Sequence, residues 1–267
     1  MNALALYGRY VAASIRAQMQ YPTSFMLLTL SAFVMTGTEI VGVWALFARF
    51  GTIQGWRFGE IAVFYGLVNV TFAFADAVTR GFDVFGPEFV KTGAFDRLLV
   101  RPRLTALQLM GHELRLTRIG RLVQGAIIFT AGVIAVRLQW TLGDVLLLLA
   151  AVAGGTALFS GLLVLQATLA FWTVESLEIA NVLTYGGVEA AQYPISVYAT
   201  WFRDLLIYVV PIGCVAYFPV VAVLGHVDPL GAPAWAQAAA PLAGFAFFGV
   251  AIWAWGFGVR NYTSTGS

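Results

Sequence analysis

Apolar segments long enough to cross a lipid bilayer recur along the whole chain, and this feature limits what the chain can fold into. A membrane-spanning helix needs roughly 20 predominantly apolar residues, and hydrophobic residues make up 60% of this 267-residue sequence. Only 10% of the residues are charged, whereas soluble domains carry about 25%. The sequence therefore predicts an all-α integral membrane protein with a single transmembrane domain over residues 1–267.

Six membrane spans account for the apolar segments and the polar breaks between them. Gly51, Gln54 and Gly55 mark a short turn after the first span, and polar residues from Arg137 to Gln139 end the third. The predicted spans cover residues 24–47, 59–79, 113–137, 143–172, 176–196 and 236–258.

Residues 1–20 predict an amphipathic helix that lies in the lipid headgroup layer. Leu4, Val11, Ile15 and Met19 recur at helical spacing, with polar residues on another face; this pattern is typical of interfacial helices. The segment lacks the basic start and the continuous apolar stretch of a cleaved secretion signal. A plain extension of the first span is the alternative.

The segment before the last span can be arranged in two ways. In one, residues 176–196 form the fifth span, and residues 199–225, bent at Pro211 and Pro219, return as a re-entrant hairpin. In the other, residues 204–225 form the fifth span. Irregular backbone at membrane depth is tolerated only where protein or a cavity covers it. Both arrangements give six spans.

Basic residues cluster in one part of the chain. Eight of the fifteen lysine and arginine residues lie between residues 80 and 121. Cytoplasmic connections of membrane proteins carry an excess of these residues, so this part and both termini are expected in the cytoplasm. The predicted location is the cell inner (cytoplasmic) membrane, as a multi-pass protein. The eight residues are Arg80, Lys91, Arg97, Arg101, Arg103, Arg115, Arg118 and Arg121.

The sequence excludes a nucleotide-hydrolysing site of the phosphate-loop type. Such a loop needs a lysine directly after a glycine, and the only lysine, Lys91, follows Val90. If ATP drives transport, ATP and Mg²⁺ must bind to another polypeptide. No cofactor is therefore expected on this chain.

Other catalytic and metal sites are not expected either. His112 and Glu113 begin the two-histidine zinc motif of metalloproteases, but Leu116 stands where the second histidine would be. The only other histidine is His226, so serine catalysis with a histidine base lacks the necessary residues. Cys214 is the only cysteine, which excludes an internal disulfide and a cysteine-built metal site. The chain is not expected to be an enzyme.

Residues 80–112 combine charged and apolar side chains in a connection predicted to be cytoplasmic. Gly86 and Pro87 suit the start of a short helix, and Gly93 suits its end. One interpretation is a docking helix for a soluble partner, and the other is a basic loop bound to lipid headgroups. The candidate contact residues, with both phenylalanines expected to be exposed, are Glu88, Phe89, Phe95, Asp96, Arg97 and Arg101.

Acidic residues inside the predicted spans are candidates for a translocation path. Glu39 falls near the middle of the first span, Asp76 toward the inner end of the second, and Glu189 in residues 176–196. A carboxylate at membrane depth is costly and usually faces a cavity or a partner. A structural hydrogen bond is the alternative, and the Asp76 side chain could instead reach the membrane surface.

Several short motifs, taken in their order along the chain, resemble those of the permease subunits of type-2 ATP-binding-cassette exporters. The resemblance extends over the whole chain and is closest to one subfamily. The first motif contains Gly93, Asp96, Arg97, Arg101 and Pro102. The later ones are Tyr193-Pro194-Ile195, then Pro211 with Tyr217-Phe218-Pro219, and finally Tyr262, Ser264, Gly266 and Ser267.

This resemblance implies six spans, an N-terminal interfacial helix and a coupling helix between spans two and three that contacts a separate ATPase subunit. It also implies two permease subunits for each pump, identical or related, surrounded by membrane lipid, and it favours the re-entrant arrangement of residues 199–225. The expected function is that of the membrane half of an ATP-driven pump, in the direction of export. No nucleic-acid partner is expected.

The residues alone leave two other functions open. One is an ATP-independent carrier or channel that uses Glu39 as its ion or substrate site. The other is a membrane scaffold that does not transport. An ATPase that purifies together with the chain would distinguish a pump subunit from both.

Overall fold

The computed structural model describes residues 12, 15–16, 19–111, 119–137, 139–173 and 181–263. Most of the predicted interfacial helix at residues 1–20 lies outside them, as do the first residues of the predicted spans at 113–137 and 176–196. The His112–Leu116 segment and the end of the Tyr262–Ser267 motif also lie outside the described residues.

Helices make up nearly all of the secondary structure. Within the described ranges, only Thr52–Ile53 (β1) and Trp56–Arg57 (β2) are strands, and they pair as a small antiparallel hairpin. The helices are α1 (Pro22–Phe50), α2 (Phe58–Asp83), α3 (Asp96–Leu99), α4 (Thr105–Met110), α5 (Ile119–Val136), α6 (Leu142–Thr173), α7 (Gly187–Ala191), α8 (Thr200–Asp204), α9 (Ile212–Val215), α10 (Tyr217–Leu224), α11 (Ala234–Ala239) and α12 (Leu242–Arg260). Short π-helices cover Gly86–Val90, Val182–Gly186 and Leu205–Val209, and a 3₁₀ turn covers Ile195–Val197.

Five helices in the described part of the chain are long and apolar enough to cross a membrane, and one bent pair raises the number to six. The five are α1, α2 with its continuation to Val90, α5, α6 and α12. The prediction of an all-α, multi-pass membrane protein is thereby confirmed.

The predicted turn after the first span forms as a tight reversal between β1 and β2. α1 ends where Gly51 adopts φ 74°, and Gln54 and Gly55 adopt φ 50° and 86° in the hairpin turn. Glycine enters this left-handed region of backbone space without a steric cost. The turn places the start of α2 beside the end of α1.

α2 lies at the centre of the fold, where it packs against α5 and α6. Helices in membranes approach closely where small residues lie at the contact, and Gly66 on α2 is such a position. A Cβ atom added at Gly66 would overlap the backbone of Phe129 on α5. Along the contact between α6 and α12, a Cβ atom at Gly154 would likewise overlap the carbonyl group of Pro241.

α1 differs from the other spans because most of its side chains are exposed. It packs mainly against α5, and apolar residues such as Met26 and Met35 are 68% and 69% exposed. In a membrane protein such a helix faces lipid or another subunit.

The observed ends of two spans differ from the predicted ones. The second span was predicted to end at residue 79, but α2 continues to Asp83, with only a local distortion at Thr79 (φ −113°, ψ 17°). The last span was predicted to begin at residue 236, but α12 begins at Leu242, and residues 236–239 belong to the separate helix α11. Pro241 explains this break because proline suits a helix start and cannot continue the preceding helix.

A sharp bend divides residues 200–224 into two helical parts. The part ending at Val209 and the part starting at Ile212 make an angle of 71°, and the bend lies at Pro211, as predicted. Pro219 lies in the first turn of α10, and a break at Ala216 separates α10 from α9. Both a broken fifth span over residues 204–225 and a re-entrant hairpin fit this bend, so the choice between them stays a prediction.

Candidate functional site

Glu39 makes a hydrogen bond with a tyrosine of the neighbouring span. The Tyr65 hydroxyl on α2 donates to Oε2 of Glu39 on α1 at 3.1 Å. Tyr65 is only 1% exposed, whereas Glu39 is exposed. The bond fixes one carboxylate oxygen and leaves the Glu39 side chain accessible at the surface of α1.

Glu189 is brought to the same region by Arg121. Nη2 of Arg121 on α5 lies 4.0 Å from Oε1 of Glu189 on α7. Nε of Arg121 donates to Oδ1 of Asn69 at 2.7 Å, and the guanidinium carbon lies 4.9 Å from the ring centre of Phe72. Arg121 therefore joins α2, α5 and α7 at one point, a role that the sequence analysis did not assign to it.

A chain of polar contacts joins Glu39 to Glu189. Glu39 bonds the Tyr65 hydroxyl, Nδ2 of Asn69 donates to the Tyr65 carbonyl at 2.8 Å, and Arg121 contacts both Asn69 and Glu189. We call Glu39, Tyr65, Asn69, Arg121 and Glu189 the membrane polar group. Two of the three predicted path residues thus come together, although their helices are far apart in the sequence.

Asp76, the third predicted path residue, belongs to a separate buried cluster near the C-terminal end of α2, which we call the inner cluster. Its side chain is 1% exposed, and Oδ1 lies 3.6 Å from Nη1 of Arg80. Arg80 also forms an ion pair with Asp83. Because Asp76 is buried, the alternative that its side chain reaches the membrane surface is wrong. Seven residues, or about 10 Å of helix, separate Asp76 from Asn69, so this cluster is distinct from the membrane polar group.

This inner cluster connects α2 with α6 and with the residues before α7. Nε2 of Gln166 donates to Oδ1 of Asn181 at 2.9 Å and lies 3.4 Å from Oδ1 of Asp83. Thr184 donates to Oε1 of Gln166 at 3.2 Å. Because each of these partners is on a different element, the cluster acts as a polar joint between the inner ends of the helices.

Phe89 and Phe95 are not the exposed contact residues that the sequence suggested. They are 5% and 0% exposed. Gly93 adopts φ 68° and reverses the chain, so that the amide of Phe95 bonds the carbonyl of Phe89 at 3.1 Å. The Phe95 ring lies 5.0–6.1 Å from four other rings, which belong to Phe85, Phe171, Trp255 and Tyr262.

The other predicted contact residues remain at the surface. Glu88, Arg97 and Arg101 are exposed and Asp96 is partly exposed. Apolar side chains that the sequence analysis did not single out lie beside them, with Val100 83% and Leu104 78% exposed. We call this surface the basic–apolar face; its exposed members are Glu88, Lys91, Arg97, Leu99, Val100, Arg101, Arg103 and Leu104.

Hydrogen bonds hold the backbone beneath the basic–apolar face. Nε2 of the buried Gln108 donates to the carbonyls of Leu98 and Arg103 at 3.2 and 3.3 Å. Nε1 of Trp255 donates to Oγ1 of Thr105 at 3.1 Å, which fastens α4 to α12. The face is therefore a shaped surface attached to the membrane helices.

On the opposite side of the molecule, His226 contacts the start of α2. Its Nε2 lies 2.7 Å from Oε1 of Glu60, and its ring centre lies 4.9 Å from that of Trp56. In the part of the chain that the structure describes, no three His, Cys, Asp or Glu side chains are grouped so that they could hold a metal ion.

A protein-family model described as "ABC-2 family transporter protein" matches residues 33–266 of the chain. Searches of curated protein sequences and of solved structures gave no match. The family match spans both the membrane polar group and the basic–apolar face. The narrower subfamily that the Gly93–Pro102 motif suggests stays a prediction.

Proposed function

The chain belongs to the ABC-2 transporter family, and from this membership we propose that it is one of two permease subunits of an ATP-driven exporter. As a member of this family it is a multi-pass permease of an ABC transporter, which implies an ATPase partner. The proposal adds the direction of transport, the pairing of two permeases and the surface that the ATPase contacts. It also places the chain in the inner membrane with both termini in the cytoplasm.

The observation that supports the ATPase contact is the composition of the basic–apolar face. Exposed Val100 and Leu104 alternate with Arg101 and Arg103 around Pro102. Apolar residues surrounded by arginine are typical of protein interfaces, and here two exposed aliphatic side chains and two arginines lie within five residues. The face also lies in the most basic part of the chain, which the positive-inside rule places in the cytoplasm.

The aromatic cluster beneath the face gives it a mechanical connection to the membrane. Phe85 follows α2, Phe171 is on α6 and Trp255 is on α12, and each ring lies within 6.1 Å of the Phe95 ring. Packed interiors transmit displacement because they have few voids. Closure of the ATPase subunits would thus push on residues 86–104 and move the inner ends of three spans together.

The translocation path is assigned to the side of the molecule where α1 and α7 present Glu39 and Glu189. The exposed apolar surface of α1 is available for a second permease subunit, and carboxylates at membrane depth usually face a cavity or a partner. Asp76 is assigned a structural role instead, because it is buried and paired with Arg80.

ATP and Mg²⁺ are assigned to the partner subunit. The only lysine, Lys91, follows valine, so the chain lacks the phosphate loop that nucleotide hydrolysis of this type requires. Purified permease alone should hydrolyse no ATP. An ATP-independent carrier built around Glu39 would need neither an ATPase partner nor the basic–apolar face.

The test is co-purification of the transporter's ATPase with Val100→Asp and Leu104→Asp permeases. A buried charge without a partner strongly weakens an interface, so each variant should lose at least about tenfold in affinity for the ATPase. Val227→Asp is the matched control, because Val227 is 92% exposed in the connection after α10. Equal ATPase recovery from all three variants would contradict the proposed contact surface.

A further inference from the structure

The membrane polar group presents more acidic than basic charge. Its described residues include two carboxylates, Glu39 and Glu189, and one guanidinium, Arg121. The Glu189 side chain is 57% exposed, and Glu39 is exposed as well. The group therefore carries a formal negative charge that a ligand can reach, at a depth where charge without a function is costly.

Aromatic side chains lie near Glu189. The Tyr198 hydroxyl donates to the carbonyl of Ala190, the residue after Glu189, at 3.1 Å. The Tyr198 ring in turn lies 5.2 Å from the Phe202 ring. The faces of such rings attract cations, most strongly where water is excluded.

A second observation is independent of these charges. Gln124, three residues after Arg121 on α5, is 3% exposed, and neither Oε1 nor Nε2 of its amide has a hydrogen-bond partner. The Nε2 atom lies 3.8 Å from the position that a Cβ atom on Gly37 would take, two residues before Glu39. Buried amides nearly always have partners, so an unsatisfied one between α1 and α5, one turn along α5 from Arg121, indicates a place where a ligand can supply them.

From this arrangement we propose that the membrane polar group binds an amphipathic organic cation with a single positive charge, and that such cations are the class of compound that the transporter exports. Two carboxylates and aromatic rings suit the cationic centre. Met35, one turn before Glu39 on the same face of α1, is 69% exposed and suits an apolar substituent. A metal ion fits less well, since Ca²⁺ takes 6–8 oxygen ligands and no three acidic, histidine or cysteine side chains in the described ranges form such a group.

The experiment measures binding of radiolabelled tetraphenylphosphonium to the purified permease by equilibrium dialysis, without nucleotide. Glu39→Gln and Glu189→Gln should each raise the dissociation constant by about tenfold. Glu39→Asp keeps the charge and should bind nearly as well as the wild type. Asp144→Asn is the matched control, because the Asp144 carboxylate bonds Thr141 at the start of α6 and lies outside the membrane polar group. The dissociation constant of the cation for this variant should equal that of the wild type.

The wild-type protein provides a test that does not depend on any variant folding. Tetraphenylborate has almost the same size and shape as tetraphenylphosphonium but the opposite charge. The proposal expects at least about tenfold tighter binding of the cation. Equal binding of the two ions, or a dissociation constant for the cation that neither glutamate substitution changes, overturns it.

The assignment to export rests on the proposed function, but the binding measurement does not. A permease that binds the cation and fails to associate with the ATPase would contradict the proposed function alone. A permease that associates with the ATPase and shows no charge preference would contradict this inference alone. Absence of cation binding, together with a Glu39→Cys disulfide between two copies, would assign the surface to a copy–copy contact and overturn the inference.

Discussion

At the scale of single residues, Phe95 is a core residue beneath the basic–apolar face. Its ring has no exposed surface and contacts rings from the segment after α2, from α6 and from α12. The side chain therefore supports the basic–apolar face without forming part of it. If the ATPase contacts this face as we propose, Phe95 affects that contact through the shape and stiffness of the surface above it.

We expect Phe95→Ala to lower the free energy of unfolding by about 3–5 kcal/mol, the usual cost of removing a buried phenylalanine ring. Thermal unfolding of the purified protein in detergent measures this loss. Phe50→Ala is the matched control, since Phe50 is 66% exposed, and it should unfold like the wild type. If Phe95→Ala kept its stability but lost the ATPase, the ring would have to contact the partner directly.

Glu60 connects two elements through its two carboxylate oxygens. Oε2 accepts the Arg57 amide N–H at 2.7 Å, which caps α2, and Oε1 bonds His226 at 2.7 Å. His226→Ala removes one of these bonds and should lower the free energy of unfolding by about 1 kcal/mol. Glu60→Ala also removes the cap, which adds about 1 kcal/mol.

Thermal or denaturant unfolding should thus order the two variants, with Glu60→Ala clearly the less stable. Val227→Ala, at an exposed position next to His226, serves as the reference. Equal stability of His226→Ala and Glu60→Ala would show that the cap contributes nothing.

At the scale of the element, hydrophobic length was sufficient to predict α1 and α6, and the residues Gly51, Gln54 and Gly55 were sufficient to predict the turn between α1 and α2. It failed where a boundary depends on packing. Residues 80–90 are amphipathic enough to resemble an exposed connection, yet Phe82, Phe85 and Phe89 point into a cluster completed by α6 and α12. The sequence also could not predict that Glu39 and Glu189 belong to one polar group, because this depends on the contacts of Arg121 and on how α7 packs against α2.

Close helix contacts make a prediction at this scale. Gly66→Ala would push the new methyl group into the Phe129 backbone, and overpacking of this kind costs about 1–3 kcal/mol. Gly249→Ala on α12 is the matched control, because a Cβ atom there has nothing within 4 Å. Alanine is the better helix former, so the control should unfold at the same temperature as the wild type or slightly above it, and Gly66→Ala well below it.

At the scale of the whole molecule, the two functional surfaces are joined through α2. The membrane polar group includes Tyr65 and Asn69, the inner cluster includes Asp76, and the aromatic cluster begins at Phe82, all on this one helix and its continuation. The order along α2 places the polar joint between the proposed ligand site and the proposed ATPase contact. Whether residues 199–225 form a re-entrant hairpin or part of a fifth span decides on which side of the membrane Thr200 lies.

Cysteine labelling in a Cys214→Ala background tests that arrangement. If residues 199–225 form a re-entrant hairpin, Thr200→Cys and Val227→Cys should both react with a membrane-impermeant reagent added outside. Gln54→Cys, in the turn after α1, is the reference for the side expected outside, and Asn261→Cys, after α12, is the reference for the side expected in the cytoplasm. If Thr200→Cys reacts only under the conditions in which Asn261→Cys also reacts, residues 200–224 instead form a broken fifth span.

The position of Trp255 and Tyr262 in the aromatic cluster has a consequence for biosynthesis. The ribosome makes residues 85–104 long before it makes α12, so the Phe95 ring has no complete packing partner while synthesis continues. The surface above it can take its final shape only after the last membrane helix has been inserted. If the basic–apolar face contacts the ATPase as we propose, an unfinished or truncated permease would offer that subunit a malformed contact. The order of synthesis would then limit ATP hydrolysis by a pump that lacks a finished membrane path.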